Sequence, residues 1–267
     1  MSKLDNKVIW LTGASSGIGE SLAYELAKFP VKLIISARRE TELQRVKEAC
    51  DAIGSAQTAI LTLDLAAADT LEQVCKKATD VFGRVDILIN NGGISQRDKI
   101  INTDMAVSRR LMEVNYFGSI ALSKYLLPEM LRRKSGHHVV ISSAVGIITT
   151  PKRSAYAASK HALHGFYDTL RAEHHDDHIK VTMICPGYVH TNISYNALLG
   201  DGTKQNKLDN AQATGLSPEY TARKIVKAIE REKQEVYIGG FKEVFGIYLK
   251  RFFPYLFSIA VRKMSVT

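Results

Sequence analysis

Three residues in the middle of the chain have the types and the spacing of an acid/base site. Ser143 follows an apolar stretch with the pattern of a strand, Tyr156 comes thirteen residues later, and Lys160 lies four residues beyond it. Residues at positions i and i+4 share one face of a helix, so the tyrosine and the lysine can reach one ligand. Because a nearby ammonium favours the phenolate, we expect Lys160 to lower the pKa of Tyr156 from about 10. The phenol would then exchange a proton with an oxygen that Ser143 holds.

A glycine-rich turn near the N-terminus offers a partner for this chemistry. Gly13, Gly17 and Gly19 lie between a short apolar strand over residues 7–12 and an amphipathic helix. Glycines let the backbone approach a pyrophosphate closely, and the helix N-terminus presents free N–H groups and a partial positive charge. A glycine turn without a ligand is the alternative. The strand before the turn and the helix after it favour dinucleotide binding.

The end of the second strand indicates which dinucleotide binds. The strand over residues 31–37 is followed by Arg38 and Arg39, and no acidic residue occupies its end. An acidic side chain there would accept a hydrogen bond from a free ribose 2′-hydroxyl, whereas an arginine suits a 2′-phosphate. We therefore predict NADP(H) in preference to NAD(H), with Arg38 as the better contact. The alternative is that both arginines only begin a solvated helix.

Strands and helices alternate from the N-terminus onward. Further strands are predicted over residues 59–63, 86–89, 138–142, 179–185 and 235–238, and further helices include 104–133 and 154–177. This order predicts one α/β domain over residues 1–267, a three-layer, doubly wound parallel sheet of about seven strands with helices on both faces, of the Rossmann-like kind. Ligands of such sheets bind at the carboxyl ends of the strands, where Asp64 and Asn90–Gly92 also fall.

Two later segments are expected to concern the substrate. Residues 192–217 are polar and contain glycine, which predicts a mobile lid or a plain surface insertion. Residues 241–267 interleave aromatic with basic side chains. That tail is expected, in this order, to pack over the pocket or a subunit interface, to contact an anionic membrane surface, or to be a flexible end.

Composition excludes some functions. Lys and Arg number 36 against 27 Asp and Glu, a net charge of +9, but the charges are spread and no RNA-binding motif occurs, so nucleic acid is a poor candidate partner. The three cysteines lie in apolar segments without metal-like spacing and are interpreted as free core thiols. His174 and His178 are interpreted as part of a solvated helix end. Without a signal peptide or an apolar run of about 18 residues, we expect a cytoplasmic protein.

Taken together, the motifs resemble those of the short-chain dehydrogenases/reductases. The order and spacing match over about residues 5–240, with TGASSGIG at 12–19, NNGG at 90–93, Asn115, Ser143, Tyr156-x-x-x-Lys160 and PGYVHT at 186–191. Within that family the chain is similar to the NADP-preferring DHRS7-type and 11β-hydroxysteroid-type dehydrogenases, and we expect it to lack their N-terminal membrane anchor. The usual NNAG is NNGG in this sequence, a departure that still permits close approach.

The resemblance implies a reaction and a set of site residues. Hydride would pass between a nicotinamide and a ketone or secondary alcohol, with Tyr156 as the acid/base. The implied catalytic residues are Asn115, which would hold a relay water, Ser143, Tyr156 and Lys160. The implied cofactor contacts are Gly13, Ser15, Gly17, Ile18 and Gly19 at the pyrophosphate, Arg38 at the 2′-phosphate, Asp64 and Leu65 at the adenine, Asn90 and Gly92 at the ribose, Lys160 at the nicotinamide ribose, Val189 and Thr191 at the carboxamide, and Tyr156, Pro186 and Gly187 as further contacts.

Other functions stay open at this point. A 3-oxoacyl-carrier-protein reductase shares the central motifs, although the tail beyond residue 240 disfavours it. A non-catalytic dinucleotide-binding regulator would not need the serine, tyrosine and lysine. The partners expected for an enzyme of this family are a small carbonyl or alcohol substrate and further copies of the chain in a homodimer or homotetramer.

Overall fold

A computed structural model describes residues 2–262, and these residues form a seven-stranded parallel sheet. The strand order is β3-β2-β1-β4-β5-β6-β7. The strands are β1 Val8–Thr12, β2 Lys32–Ser36, β3 Gln57–Ile60, β4 Ile87–Asn90, β5 Gly136–Ile141, β6 Ile179–Pro186 and β7 Glu235–Ile238. The chain reverses its direction of winding between β1 and β4, which is the position where open α/β sheets bind ligands. The predicted fold class is confirmed.

Helices cover both faces of the sheet. They are α1 Gly17–Leu26, α2 Glu40–Ile53, α3 Leu71–Phe82, α4 Met105–Met112, α5 Gly118–Arg132, α6 Ser154–Glu173, α7 Asn210–Ala213, α8 Pro218–Glu230, α9 Phe241–Phe252 and α10 Pro254–Arg262. The helix α8 begins as its sequence predicts, with Pro218 in the first turn and the Ser217 hydroxyl accepting a hydrogen bond from the Tyr220 N–H.

Alternate residues of β1 show how the core is divided. Ile9 and Leu11 belong to the cluster that includes residues of α1, α2 and α8, whereas Val8 and Trp10 belong to the cluster that includes residues of α3 and α5. The five residues of β1 are all buried, as expected of a parallel strand covered on both faces. The sheet is thereby fixed from both sides, and the loops at its carboxyl edge are held on a rigid support.

The structure differs from the sequence-based prediction along the stretch 104–133. The prediction was one helix, but a π-helical segment, Glu113–Phe117, separates α4 from α5. A π-helical insertion has no hydrophobic period of its own that a sequence pattern would reveal. Strand β3 also ends at Ile60 instead of residue 63, although Leu61 and Leu63 still donate backbone hydrogen bonds to Ile35 and Ala37.

The C-terminal helices pack beside the carboxyl edge of the sheet. Ile247 of α9 and Phe257 of α10 are buried in one cluster with Ala144 and Ile148, from the chain just after β5. Residues 241–262 of the tail therefore pack against the chain after β5, residues 263–267 lie outside the described part, and the role expected of the tail stays a prediction. Within residues 2–262, no helix combines the length and the apolar character needed to cross a bilayer.

Candidate active site

A single large cavity gathers most of the predicted site residues. Its volume is about 1040 Å³, and it lies at the carboxyl ends of the central strands. The predicted residues that line it are Gly13, Ser15, Gly17, Ile18, Gly19, Arg38, Asp64, Leu65, Gly92, Ser143, Tyr156, Lys160, Pro186, Gly187, Val189 and Thr191. Loops that follow six different strands, β1 to β6, thus meet in one place, and two predicted residues, Asn90 and Asn115, lie outside the lining.

The glycine turn is packed too closely for side chains. Gly13 has a φ of +66°, and a Cβ on it would lie 2.7 Å from the Gly92 Cα. A Cβ on Gly19 would lie 2.1 Å from the Gly13 carbonyl oxygen. The Asn91 side chain ties the two loops together, since its Nδ2 donates to the Thr12 and Gly13 carbonyl oxygens at 3.0 and 3.1 Å. The backbone beside the α1 N-terminus is therefore held in a fixed form that suits a pyrophosphate.

Two exposed arginines border the same end of the cavity. Arg38 and Arg39 follow β2 and line the cavity, and the Arg39 Nη2 donates to the Ser15 hydroxyl at 3.5 Å. Their guanidinium groups stand next to the glycine turn, where a phosphate on an adenosine ribose would lie. Two arginine side chains therefore border the end of the cavity where a dinucleotide would bind.

Asn90 is placed differently from its implied role. Its side chain is buried, and its Nδ2 donates to the Ser123 hydroxyl at 3.2 Å and to the Tyr167 hydroxyl at 3.0 Å. The side chain therefore joins β4 to α5 and α6 beneath the cavity. The neighbouring Asn91 and Gly92, and not the Asn90 side chain, face the cavity.

Asn115 lies in the π-helical segment and is 1% exposed. Its Oδ1 accepts a hydrogen bond from the Ile94 N–H at 2.8 Å, and its Nδ2 donates to the Ile94 carbonyl at 2.9 Å and to the Ser159 hydroxyl at 2.9 Å. Asn115 therefore clamps the chain after β4 against α6, next to Lys160, and its expected part in a proton relay stays a prediction.

The two serines after β5, Ser142 and Ser143, form hydrogen bonds with different partners. The Ser143 hydroxyl accepts from the Val145 N–H at 3.2 Å and donates to the Pro186 carbonyl at 3.4 Å. The Ser142 hydroxyl donates to the Lys160 carbonyl at 3.3 Å and lies 3.0 Å from the His164 Nε2. Ser142 thus braces α6, whereas the Ser143 hydroxyl is on the side of the Tyr156 phenol and contributes to its pKa as a hydrogen-bond partner.

The protonation of Tyr156 and Lys160 differs from the sequence-based expectation. Burial raises the pKa of Tyr156, and the charges of Arg153 and Arg97 together with the Ser143 hydroxyl oppose that rise without cancelling it. Burial also lowers the pKa of Lys160 to about 8. The Lys160 Nζ donates to the Ile141 carbonyl at 2.8 Å and lies 5.9 Å from the centre of the Tyr156 ring. The expected lowering of the tyrosine pKa by Lys160 is wrong for this structure, because desolvation outweighs the charges nearby.

Residues that the sequence patterns did not single out complete the Tyr156 end of the cavity. Arg97 and Arg153 both line it and are 3% and 5% exposed. They converge on Asp209, which belongs to the segment 192–217. From the sequence alone, a charged residue in a polar loop is expected to be exposed to solvent. The one signal for these residues was that Arg153 lies three positions before Tyr156.

The segment 192–217 lies along the cavity and is fastened to the chain after β4. The Leu198 N–H donates to the Ser95 carbonyl, and the Arg97 N–H donates to the Leu198 carbonyl, both at 2.9 Å. Gln212 and Leu216 line the cavity from this segment. The expected role of this segment as a mobile substrate lid stays a prediction.

Comparison with known proteins decides the family. The pattern described as short chain dehydrogenase matches residues 7–199. The chain belongs to the short-chain dehydrogenase family. This family of oxidoreductases includes curated relatives that match nearly the whole chain. The dehydrogenase/reductase SDR family protein 7-like of Drosophila melanogaster is 41% identical, with 99% of this chain and 82% of the relative covered.

Two further relatives in this family come from mammals. Dehydrogenase/reductase SDR family member 7B of Mus musculus is 41% identical, covering 95% of this chain and 80% of its own. Family member 7 of Homo sapiens is 41% identical, covering 94% of this chain and 76% of its own. The predicted resemblance to the short-chain dehydrogenases, including the family 7 type, is confirmed.

Solved short-chain dehydrogenases share the fold. One from Burkholderia phymatum, in complex with NAD, superposes with a TM-score of 0.83 at 21% identity and covers 100% of this chain and 98% of its own. An alcohol dehydrogenase from Thermococcus sibiricus, complexed with 5-hydroxy-NADP, gives a TM-score of 0.75 at 23% identity, covering 89% and 97%. At these identities the likeness concerns the fold, which is the Rossmann-like fold of the family.

Proposed function

We propose that the protein is an NADP(H)-dependent oxidoreductase that interconverts a ketone and a secondary alcohol, with Tyr156 as the proton donor and acceptor. The observation that carries this proposal is the convergence of Ser143, Tyr156 and Lys160 in the cavity that the glycine turn also lines. A protein that only bound a dinucleotide would have no use for a buried phenol, hydroxyl and ammonium at the far end of its cavity.

Tyr156 is suited to deliver a proton. Because burial raises the pKa of its phenol, the side chain is protonated at neutral pH, which is the form that a carbonyl reduction consumes. The Ser143 hydroxyl, on the same side of the cavity, would donate a hydrogen bond to the substrate oxygen and stabilise the negative charge that develops there. When bound, the nicotinamide supplies or accepts the hydride.

Lys160 is placed to organise this end of the cavity. Its ammonium is buried and held by the Ile141 carbonyl, below the Tyr156 ring. An ammonium in this position would donate to ribose hydroxyls of a bound cofactor and would favour a transient phenolate during alcohol oxidation. Asn115, through the Ile94 backbone and Ser159, fixes the walls on either side of it and acts as a positioning residue.

The preference for NADP(H) rests on Arg38 and Arg39. Both are exposed beside the glycine turn, and no carboxylate follows β2 directly to accept a hydrogen bond from a free 2′-hydroxyl. A guanidinium pairs with a phosphate in a charge-assisted, bidentate manner. NAD(H) would lack that contact.

The decisive test is Tyr156→Phe assayed for NADPH oxidation with a panel of ketones, steroids and acyl thioesters. We expect turnover on the best substrate to fall by about 10³-fold or more, within the range of a lost proton donor and its oxygen contact together. The NADPH dissociation constant should stay within a factor of about 2, because only one hydroxyl is removed. Tyr220→Phe, on the exposed side of α8, is the matched control and should leave both values unchanged.

The panel also decides between the candidate activities. Preferential reduction of 3-oxoacyl thioesters would establish the carrier-protein reductase reading, and near wild-type turnover by Tyr156→Phe would remove the proposed role of the phenol. Tight NADPH binding without turnover on any class would favour the regulatory reading instead.

We also propose that the outward face of the tail contacts a membrane surface. Phe241, Phe252 and Tyr255 are 84%, 68% and 76% exposed, and basic residues such as Arg251 lie among them. An apolar face with cations at its border suits anionic lipid headgroups. Salt-sensitive sedimentation with anionic vesicles tests this contact, and the double change Phe252→Ser and Phe253→Ser should abolish the binding to vesicles.

The homodimer or homotetramer stays a prediction, which light scattering coupled to gel filtration would decide.

A further inference from the structure

The Tyr156 end of the cavity holds two buried arginines that share one carboxylate. Arg97 and Arg153 are 3% and 5% exposed, and the Oδ2 of Asp209 lies 2.7 Å from the Arg97 Nε and 3.5 Å from the Arg153 Nη2. Two cations and one anion leave an excess positive charge. An uncompensated charge away from water is unfavourable, so this arrangement calls for a further anionic partner.

Arg97 is held by three short hydrogen bonds. Its Nε donates to Asp209, and its Nη1 donates to the Ser95 hydroxyl and the Gln96 carbonyl, each at 2.7 Å. The second carboxylate oxygen of Asp209 accepts from the Gln205 Nε2 at 2.9 Å. Both carboxylate oxygens of Asp209 therefore already accept a hydrogen bond from another residue, and Arg153 has only the longer ion pair with it.

Arg153 is the less well bonded of the two arginines, since its Nη2 has only the 3.5 Å ion pair with Asp209. Across residues 2–262, neither its Nε nor its Nη2 finds a hydrogen-bond acceptor, although both atoms are buried. These two nitrogens form one edge of the guanidinium, the edge that binds the two oxygens of a carboxylate or phosphate side by side. The plane of the guanidinium is held near the Tyr188 ring, with 5.2 Å between Cζ and the ring centre.

This arginine is not placed to read the cofactor phosphates. Arg38 and Arg39 follow β2, whereas Arg97 follows β4 and Arg153 follows β5. In the sheet, β2 lies two strands from β4 and three from β5, a separation of roughly 10–15 Å. Arg153 instead belongs to the turn of chain that leads into α6 and Tyr156, and its charge acts on the Tyr156 phenol.

We propose that the substrate carries an oxyanion, a carboxylate or a phosphate, which the free edge of Arg153 binds while the carbonyl lies at Tyr156 and Ser143. This inference rests on the proposed function and narrows its substrate class to anionic ketones and the corresponding alcohols. Because the guanidinium has already lost its water on folding, an oxyanion gains a bidentate partner that a neutral ketone cannot use. Lys204 and Arg110 line the same cavity and add positive potential along its wall.

The test compares matched ketones that differ only in one terminal group. The ketones end in a carboxylate, a phosphate monoester or a neutral methyl ester, with the charged group at graded distances from the carbonyl, and kcat/KM with NADPH is measured for each. Wild type should prefer a charged member over its neutral partner by about 10- to 100-fold, as expected of a charge-assisted bidentate contact. Whichever charged member is preferred identifies the oxyanion.

Variants assign that preference to Arg153. Arg153→Gln should remove it, so that kcat/KM falls about 10- to 100-fold more for the charged ketone than for its neutral ester, with the NADPH dissociation constant unchanged. Arg153→Lys, which keeps the charge beside Asp209, should retain part of the preference and serves if the glutamine variant does not fold. Arg109→Gln, on the exposed side of α4, is the matched control and should behave as wild type.

A binding measurement separates this inference from the proposed reaction. Calorimetric titration of the NADP⁺-loaded enzyme with a fatty carboxylate and its primary amide needs no turnover. We expect the carboxylate to bind at least about tenfold more tightly, and only while Arg153 is present. Equal binding of acid and amide, or equal losses on charged and neutral ketones in Arg153→Gln, would overturn the inference and leave the ketone reductase intact. Selective binding without any turnover would retain the anion site and remove the proposed reaction.

Discussion

The two ends of the cavity are built in opposite ways. At the glycine turn, residues 13–19, backbone packs on backbone, and the charged groups nearby, Arg38 and Arg39, are exposed. At the Tyr156 end, Lys160 and Arg153 are each 5% exposed. An exposed cation stays hydrated until its ligand arrives, whereas a buried one depends on fixed partners. The glycine-turn end should therefore respond most to changes of shape, and the Tyr156 end to changes of charge and pH.

The largest change in cofactor affinity is expected from adding one methyl group at the glycine-turn end. In Gly19→Ala the new Cβ would lie 2.1 Å from the Gly13 carbonyl oxygen and 2.5 Å from the Asn91 Nδ2, so the turn must open. With at least about 3 kcal/mol of overlap to relieve, NADPH should bind more than about 100-fold more weakly in a fluorescence titration.

Gly165→Ala is the control for that change. Gly165 lies on the exposed side of α6, and a Cβ there meets nothing within 4 Å. Alanine should raise the free energy of unfolding by about 0.5–1 kcal/mol through helix propensity and leave NADPH affinity unchanged. If Gly19→Ala bound NADPH as tightly as Gly165→Ala and wild type do, the glycine turn would be more flexible than its close packing indicates.

The next effect, at the Tyr156 end, depends on pH. The pKa of Lys160 is about 8 in the folded chain and about 10.5 when unfolded, so between those values the unfolded chain holds more protons. The stability of the cofactor-free protein attributable to this group should therefore rise with pH from 8 to 10.5, by about 3 kcal/mol in all. Denaturant unfolding of wild type and Lys160→Met across this range measures the rise as the difference between them.

That difference isolates Lys160 because groups away from it titrate alike in both proteins, and burial raises the pKa of the neighbouring Cys185 thiol out of this range. Lys160→Met also loses the hydrogen bond to the Ile141 carbonyl, which lowers the free energy of unfolding. This loss varies with pH only because Lys160 itself titrates. Lys227→Met, on the exposed side of α8, should give a difference from wild type that does not vary with pH. A flat difference for Lys160→Met as well would mean that its ammonium is as well solvated in the fold as outside it.

The sequence predicted one end of the cavity better than the other. The fold, the seven strands and the glycine turn were predictable because local patterns specify them: apolar runs define buried strands, and the spacing of Gly13, Gly17 and Gly19 requires a tight turn. Such features depend on neighbours along the chain. The carboxyl ends of parallel strands then bring the turn and Tyr156 together without further information.

The properties of the Tyr156 end depend on contacts between distant residues and could not be read in the same way. The pKa of Tyr156 was expected to fall because Lys160 is four residues away, but burial, which no local pattern gives, raises it. Arg153 pairs incompletely with Asp209 across 56 positions of sequence. The role of Asn115 follows from a π-helical segment that has no periodic signature.

The smallest effect returns to the exposed arginines of the glycine-turn end. Arg38→Gln should reduce the preference for NADPH over NADH by about tenfold, the value of one charge-assisted phosphate contact of roughly 1.5 kcal/mol. Because this contact is exposed, the preference in wild type should itself shrink as salt is raised, since screening acts within about 10 Å at 0.1 M ionic strength. Arg39→Gln is the matched variant, since the Arg39 guanidinium already donates to the Ser15 hydroxyl, and it should change the preference less. If the two variants lost the preference equally, the 2′-phosphate would be read by both guanidinium groups together, and the glycine-turn end would resemble the Tyr156 end in sharing its anion between two arginines.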